Sequence, residues 1–450
     1  LQIPQALIQS LENVAGFDGI AFEQVHSGGE QVVSIRTNPA KPVVSPSLKI
    51  AGSVPWCEQG YYLKERPFFT LDPLLHAGAY YVQDASSMFV WQALQQLIPE
   101  QAGKKVLDLC AAPGGKSTIL ASHFKEGLVV ANEVIKNRAS ILVENLTKWG
   151  AASVVVTNND PSHFQSLPAY FDLILADAPC SGSGLFRKDP EAIGHWSEDN
   201  VILCSQRQQR ILADILPALK ENGILLYSTC SYSEAENEQI ADWLVAEMGM
   251  KSLSLELRTE WGIINTVSAQ AAANGYRFYP NLLKGEGFYL AAFQKQATTG
   301  FKKQKPNQIN PLSKNELEQL NSQIPLVDGL AFFQQAGAIR AIPTAWLGEI
   351  GILASQLYIK KAGVEIGSLK GKDLVPAHEL ALSGLLNPGF PVLELDLEQA
   401  LLYLKRKDLS LNGKIGWNLM QYCGLPLGWI KGLPNRINNY YPPEWRILKD

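Results

Sequence analysis

Residues 106–118 read Val-Leu-Asp-Leu-Cys-Ala-Ala-Pro-Gly-Gly-Lys-Ser-Thr, a short apolar run that stops at two glycines and gives way to a helical pattern. This predicts a strand, a tight turn at Gly114-Gly115 and the first turn of a helix. Backbone N–H groups at such a turn can approach a ligand closely, and the helix N-terminus favours a carboxylate or phosphate. The spelling is neither GxGxxG nor GxxxxGK[ST], so neither a dinucleotide fingerprint nor a P-loop is indicated.

Outward from this turn, short β-rich runs alternate with longer helical ones. LVVANE (128–133), SVVVTN (153–158), FDLILADAP (171–179), GILLYSTCS (223–231) and GFYLAAFQK (287–295) read as strands, and 116–124, 136–149 and 198–219 as helices. The alternation predicts an α/β fold, a doubly wound, Rossmann-like parallel sheet with helices on both faces. Such sheets bind ligands beyond the carboxyl ends of their strands. Glu133 ends the second strand, 25 residues after Asp108, where a carboxylate can take both ribose hydroxyls of an adenosyl ligand. Asn159-Asp160 follows the third, suited to touch adenine. Singly, each acidic residue reads more simply as a cap or turn residue. Together, on successive strand ends beside a glycine turn, they point to one adenosyl site.

The fourth strand ends in Asp177-Ala178-Pro179-Cys180 and the fifth in Thr229-Cys230-Ser231. Neighbouring strand ends open into one crevice, so these two thiols are expected near each other and near a methyl donor. A lone strand-end cysteine is usually a buried, inert thiol, but two flanking a cofactor pocket suggest reactivity. Carbon 5 of cytosine is too poor a nucleophile to take a methyl group from a sulfonium directly. A thiolate added at carbon 6 makes the ring an enamine, which can. The carbon 5 proton must then leave so that the cysteine is released, which requires a base and a donor against the ring's polar edge. Cys230, Cys180 and Asp177 supply those parts.

Composition bounds the rest. The 450 residues are 46% hydrophobic and 18% charged, the balance of a globular chain of roughly three domains. Six cysteines without a CxxC pair argue against a disulfide framework or a zinc site, so no metal is expected. No run of eighteen apolar residues and no secretory leader is evident, which predicts a cytoplasmic protein with no membrane partner. Residues 301–450 hold 17 Lys+Arg against 13 Asp+Glu, leaving 22 against 30 in residues 1–300. A basic C-terminal part behind an acidic half permits RNA binding.

DLCAAPGGK (108–116), DAPCSGSG (177–184) and YSTCSYSEAENE (227–238) resemble the signature motifs of the Nol1/Nop2/Sun family of RNA 5-methylcytosine methyltransferases. FFTLDPLLHAGAYYVQDASSM (68–88) resembles that family's segment before the glycine turn, so the match runs from about 60 to 295. GWNLMQYCGLPLGWIKG and NNYYPPEWRI, near the C-terminus, resemble the PUA-like tail of the bacterial branch acting on 16S ribosomal RNA. The resemblance implies S-adenosyl-L-methionine as cofactor, held by Cys110, Ala111, Ala112, Pro113, Gly114, Gly115, Lys116, Glu133, Arg138, Asp160 and Asp177. It implies Cys230 as nucleophile, Cys180 assisting product release, Asp177 and Lys188 at the substrate, and ribosomal RNA as partner of a monomer.

The expected organisation is an N-terminal α+β RNA-binding extension (1–65), a methyltransferase domain (66–297), a linker (298–311), an intermediate α+β domain (312–390) and a PUA-like domain (391–450). GIAFEQV, VVSIRT and VPWCEQGYYL form the extended runs of the first. Trp417, Trp429 and Trp445 read either as an aromatic core or as a stacking surface for bases. Three competing functions stay open: transfer RNA methylation, a DNA cytosine methyltransferase using the Pro-Cys thiol of Cys180, and a non-catalytic RNA-binding assembly factor.

Overall fold

The computed structural model describes residues 3–29, 31–297, 300, 305–409 and 413–449. Of the expected linker, 298, 299 and 301–304 lie outside the described residues. Among the described residues the strands form four sheets. The first comprises β1 (Ser34–Thr37), β2 (Ile50–Val54), β3 (Cys57–Leu63) and β4 (Tyr80–Val82), in the order β2-β3-β1-β4. β4 lies beyond residue 65, so the N-terminal sheet draws on the segment expected to open the next domain. GIAFEQV, expected as an extended run, instead forms the helix Gly19–Ser27. Asp18 caps it by accepting from the Ala21 N–H, and Phe22 and His26, four residues apart, fall on one buried face.

The second sheet has β5 (Lys105–Asp108), β6 (Leu128–Asn132), β7 (Val154–Thr157), β8 (Phe171–Asp177) and β9 (Leu219–Thr229) parallel, in the order β7-β6-β5-β8-β9. β6 and β7 are buried along their whole length, as strands covered on both faces must be. The chain reverses direction of strand addition between β5 and β8, which opens the ligand crevice above them. Beyond β9 the sheet is antiparallel, through β10 (Met250–Leu253), β11 (Ile264–Val267), β12 (Asn274–Phe278) and β13 (Phe288–Lys295), with β13 paired to β9. The sheet is therefore mixed, with a parallel centre.

The third sheet holds β14 (Asn310–Pro311), β15 (Leu330–Gln335), β16 (Ala338–Pro343), β18 (Val364–Lys370) and β19 (Asp373–Pro376). β17 (Ile359–Ala362) leaves it and pairs antiparallel with β7, so the intermediate segment supplies the tenth strand of the central sheet. Gly363, at φ +60°, is the pivot between the two sheets; a Cβ there would meet the Ala341 carbonyl oxygen at 2.2 Å. A sequence boundary at 311 does not separate the two parts in space.

The last sheet is β20 (Val392–Glu394), β21 (Gly416–Tyr422), β22 (Leu425–Leu433) and β23 (Arg436–Asn439). Its Met420 and Ile430, with Tyr403, share one core with Ile35 and Tyr80 of the N-terminal sheet and with Leu74 of the short helix Pro73–His76. Trp429 is fully buried and donates to the Ala377 carbonyl at 2.9 Å; Trp417 packs on Tyr440, and Trp445 on His378. For Trp429 the core reading holds outright, because its ring has no face left for a base.

Candidate active site

At the end of β5 the chain turns through Gly114, at φ +119°, into the helix Gly115–His123. Arg36 of β1 supports that helix from behind: fully buried, it donates to Thr118 Oγ1 at 2.5 Å and to Gln83 Oε1 at 3.0 Å. Its guanidinium lies 4.6 Å from the centre of the Trp149 ring. Burial lowers its pKa to about 10. Asp108, also fully buried, accepts from Ser117 Oγ at 2.6 Å with one oxygen, while its Oδ1 has no protein partner.

Burial raises the Asp108 carboxyl from its ordinary 3.8 to about 7, against the pull of Ser117. The folded protein thus keeps a proton between about pH 4 and 7 that the unfolded chain releases. That contribution to stability is full below about pH 4 and is lost as pH rises to 7. Asp108→Asn is expected to flatten the fall in melting temperature across this window, measured by calorimetry; an unchanged slope would refute the assignment.

β8 and β9 run in register, Asp177 opposite Ser228, so the two cysteine turns leave the sheet side by side. The sulfurs of Cys180 and Cys230 are 3.1 Å apart. Gly184 lies against this junction: its N–H donates to the Cys230 carbonyl at 2.8 Å, and a Cβ there would come within 2.8 Å of the same oxygen. The hydrogen bond to Cys230, then burial, then the charges of Cys230 and Glu236 push the Cys180 thiol well above its ordinary value. Asp177 accepts from Lys116 Nζ at 2.7 Å and from Ser228 Oγ at 2.7 Å. Burial opposes the Lys116 charge, but Asp177 outweighs it and holds the ammonium above its ordinary pKa.

Asp108, Lys116, Asp177 and Cys230 line one cavity of about 320 Å³, a volume typical of small-molecule sites. Its wall brings together Cys110, Ala111, Ala112, Pro113, Gly115, Lys116, Asp177 and Cys230 from the sequence-derived set. Cys180 is not on the wall, but its sulfur neighbours that of Cys230. Glu133 and Asp160 follow β6 and β7 as expected but also lie off this wall. The Glu133 carboxylate accepts from the Ile135 N–H at 2.9 Å and faces Arg138 at 3.5 Å; Arg138 in turn donates to the Ala112 carbonyl. Asp160 caps the turn Pro161–Ser166 through Ser162, whose hydrogen bonds hold its pKa below the ordinary value. Lys188 is paired with Asp84 at 3.0 Å.

Sequence reasoning missed much of the remaining wall, including Tyr81, Gln83, Asp84, Glu286 and Phe288. The polar cluster Gln83-Asp84-Ala85-Ser86-Ser87 between apolar runs was the available signal, as was Glu286 between two glycines. Nothing in either spacing shows that the two segments meet, yet Ser86 Oγ donates to the Glu286 carbonyl at 2.7 Å.

Comparison with known proteins bears on this geometry. Residues 95–294 match the model of "16S rRNA methyltransferase RsmB/F", 3–85 that of the "N-terminal domain of 16S rRNA methyltransferase RsmF", and 390–447 that of the "Methyltransferase RsmF PUA domain". The chain is 30% identical over 436 residues to ribosomal RNA small subunit methyltransferase F of Shewanella loihica, covering 91% of this chain and 88% of that protein. It is also 30% identical over 439 residues to the protein of the same name from Aliivibrio fischeri, covering 91% and 90%. The crystal structure of a methyltransferase homolog protein from Pyrococcus horikoshii superposes with a TM-score of 0.53 at 28% identity, covering 65% of this chain and all of that one.

Proposed function

The chain belongs to the 16S rRNA methyltransferase RsmB/F family, and we propose that it methylates carbon 5 of a cytosine in ribosomal RNA through a covalent adduct on Cys230. The observation that carries the reading is Cys230 on the wall of the cavity that holds the Lys116–Asp177 pair, with the Cys180 sulfur 3.1 Å from its own. Cys230 forms the bond to carbon 6 from the cavity wall. Cys180, beside it, assists removal of the carbon 5 proton and release of the product. Asp177, held by Lys116 and Ser228, faces the polar edge of the pyrimidine, and Lys188 and Asp84 sit at the substrate side. Methyl transfer from labelled S-adenosyl-L-methionine to small-subunit ribosomal RNA tests this, with 5-methylcytosine as the expected nucleoside; methyl groups on any other base would overturn it.

S-adenosyl-L-methionine would supply an electrophilic methyl group on its sulfonium. The residues present fit it. The buried Oδ1 of Asp108 offers an unsatisfied acceptor for an ammonium group at the cavity wall. Cys110 to Gly115, with Lys116, would hold the amino-acid end, and Glu133, Arg138 and Asp160 the adenosyl end. Among the described residues no helix is long and apolar enough to cross a membrane, and no cluster of metal-ligating side chains occurs.

RNA affinity, in this reading, comes largely from the C-terminal part. Arg406, Lys407, Arg436, Asn438 and Tyr440, with one acidic residue, Asp408, line a cleft of about 780 Å³ between residues 406–409 and 436–443. Removing 312–450 would strip β17 from the central sheet and open the core shared with the N-terminal sheet, so a point substitution is the cleaner test. Arg436→Ala should weaken RNA binding without regard to sequence and reduce the salt slope by about 1. Filter binding between low and moderate salt checks it; an unchanged slope would place the RNA surface elsewhere.

A further inference from the structure

Each reactive thiol is followed by a serine, Cys180-Ser181 and Cys230-Ser231, and both serines turn away from the cavity toward the same buried carboxylate. Glu236 closes the short helical turn Glu234–Glu236 that follows Ser231 and has no solvent exposure. Its Oε1 accepts from the Ser181 N–H at 2.8 Å and from Gln208 Nε2 at 3.2 Å. Its Oε2 accepts from Ser181 Oγ at 2.6 Å and from Ser231 Oγ at 2.5 Å. Gln208 also donates to the Pro179 carbonyl at 3.1 Å, so the Pro-Cys turn is held from two sides. The neighbouring Asn237 binds the other turn, accepting from Thr229 Oγ1 at 2.6 Å and donating to the Ser231 carbonyl at 2.8 Å.

Buried carboxylates cost desolvation free energy unless their oxygens are filled, and burial raises the pKa of Glu236 despite the hydrogen bonds from Ser181 and Ser231. An apolar residue would pack here without that cost. What a carboxylate adds is four hydrogen bonds from three separate stretches of chain, with directions that fix both turns at once. Ionic hydrogen bonds of this kind resist the sub-ångström drift that a reaction between positioned atoms does not tolerate.

We propose that Glu236 is the positioning residue for both thiols, tying the turns after β8 and β9 together so that Cys230 and Cys180 meet the same pyrimidine ring. The inference rests on the covalent reading above. Glu236→Gln preserves volume; its amide oxygen can still accept from the Ser181 N–H, but its NH2 group cannot accept from the two serine hydroxyls, which must rotate and loosen.

The test uses the full chain, S-adenosyl-L-methionine and small-subunit ribosomal RNA carrying 5-fluorocytosine. Once the thiol has added at carbon 6 and the methyl group at carbon 5, fluorine occupies the place of the proton that must leave, and the adduct accumulates. For Glu236→Gln, single-turnover adduct formation should slow about 100-fold while the dissociation constants for RNA and cofactor stay within about threefold. Should that variant fail to fold by circular dichroism, Ser181→Ala combined with Ser231→Ala, which keeps the carboxylate and its bond to the Ser181 N–H, should show the same split. A wild-type rate in a folded variant, or a loss confined to binding, overturns the inference. A wild-type protein that forms no adduct overturns the covalent reading itself, and this inference with it.

Discussion

Cys230→Ala is expected to remove methyl transfer, by at least about 10⁴-fold, because a reaction through a covalent adduct has no second route when its nucleophile is gone. The side chain lost is small, and the cofactor contacts proposed for Cys110 to Lys116 are made by other residues of the cavity wall, so titration calorimetry should find cofactor affinity within about threefold of wild type. A variant that retained methylation at more than about a hundredth of the original rate would mean that carbon 5 is activated without Cys230.

Cys180→Ala should behave in the opposite way, accumulating protein joined to RNA. The bond between Cys230 and carbon 6 still forms, and the methyl group is still transferred. The proton on carbon 5 then has no thiol beside it to assist its departure, and turnover should fall on the order of 100-fold. Denaturing gels with labelled RNA would show a slow-moving band approaching one adduct per protein. Two features support the proposed order of roles. Cys230 stands on the cavity wall and Cys180 does not, and the hydrogen bond to Cys230, together with burial, pushes the Cys180 thiol up, which disfavours the thiolate needed for attack. An adduct in Cys230→Ala and none in Cys180→Ala would mean that the roles are exchanged.

Much of this arrangement is legible in one dimension, for reasons that can be named. The apolar runs ending at Asp108, Asn132, Thr157, Asp177 and Thr229 are bounded by turn residues, and strand formation there depends on local pattern and burial. Once a parallel sheet is inferred, the handedness of its crossovers orders the strands and puts every carboxyl end on one edge. The helix 136–149 appears with its expected bounds, closed by Gly150 in the left-handed region. The helix expected to reach 219 stops at Ile215, because Pro217 cannot continue it and the chain passes through a tight turn into β9. GIAFEQV misled because seven residues can satisfy either period, and only the cap at Asp18 and the packing of Phe22 decide for helix.

What the chain's residues determined by themselves was therefore the doubly wound centre, the glycine turn and the pairing of two cysteine turns, since each follows from short-range periodicity plus a topological rule. Tertiary structure alone decided which thiol faces the cavity, that Asp84 and Glu286 join its wall from segments 202 residues apart, that Lys188 pairs with Asp84, and that β17, far along the chain, pairs with β7 and joins the central sheet. Those outcomes depend on how distant surfaces close on one another. Contact at that range is set by the summed packing of whole sheets, for which no local spacing carries a mark.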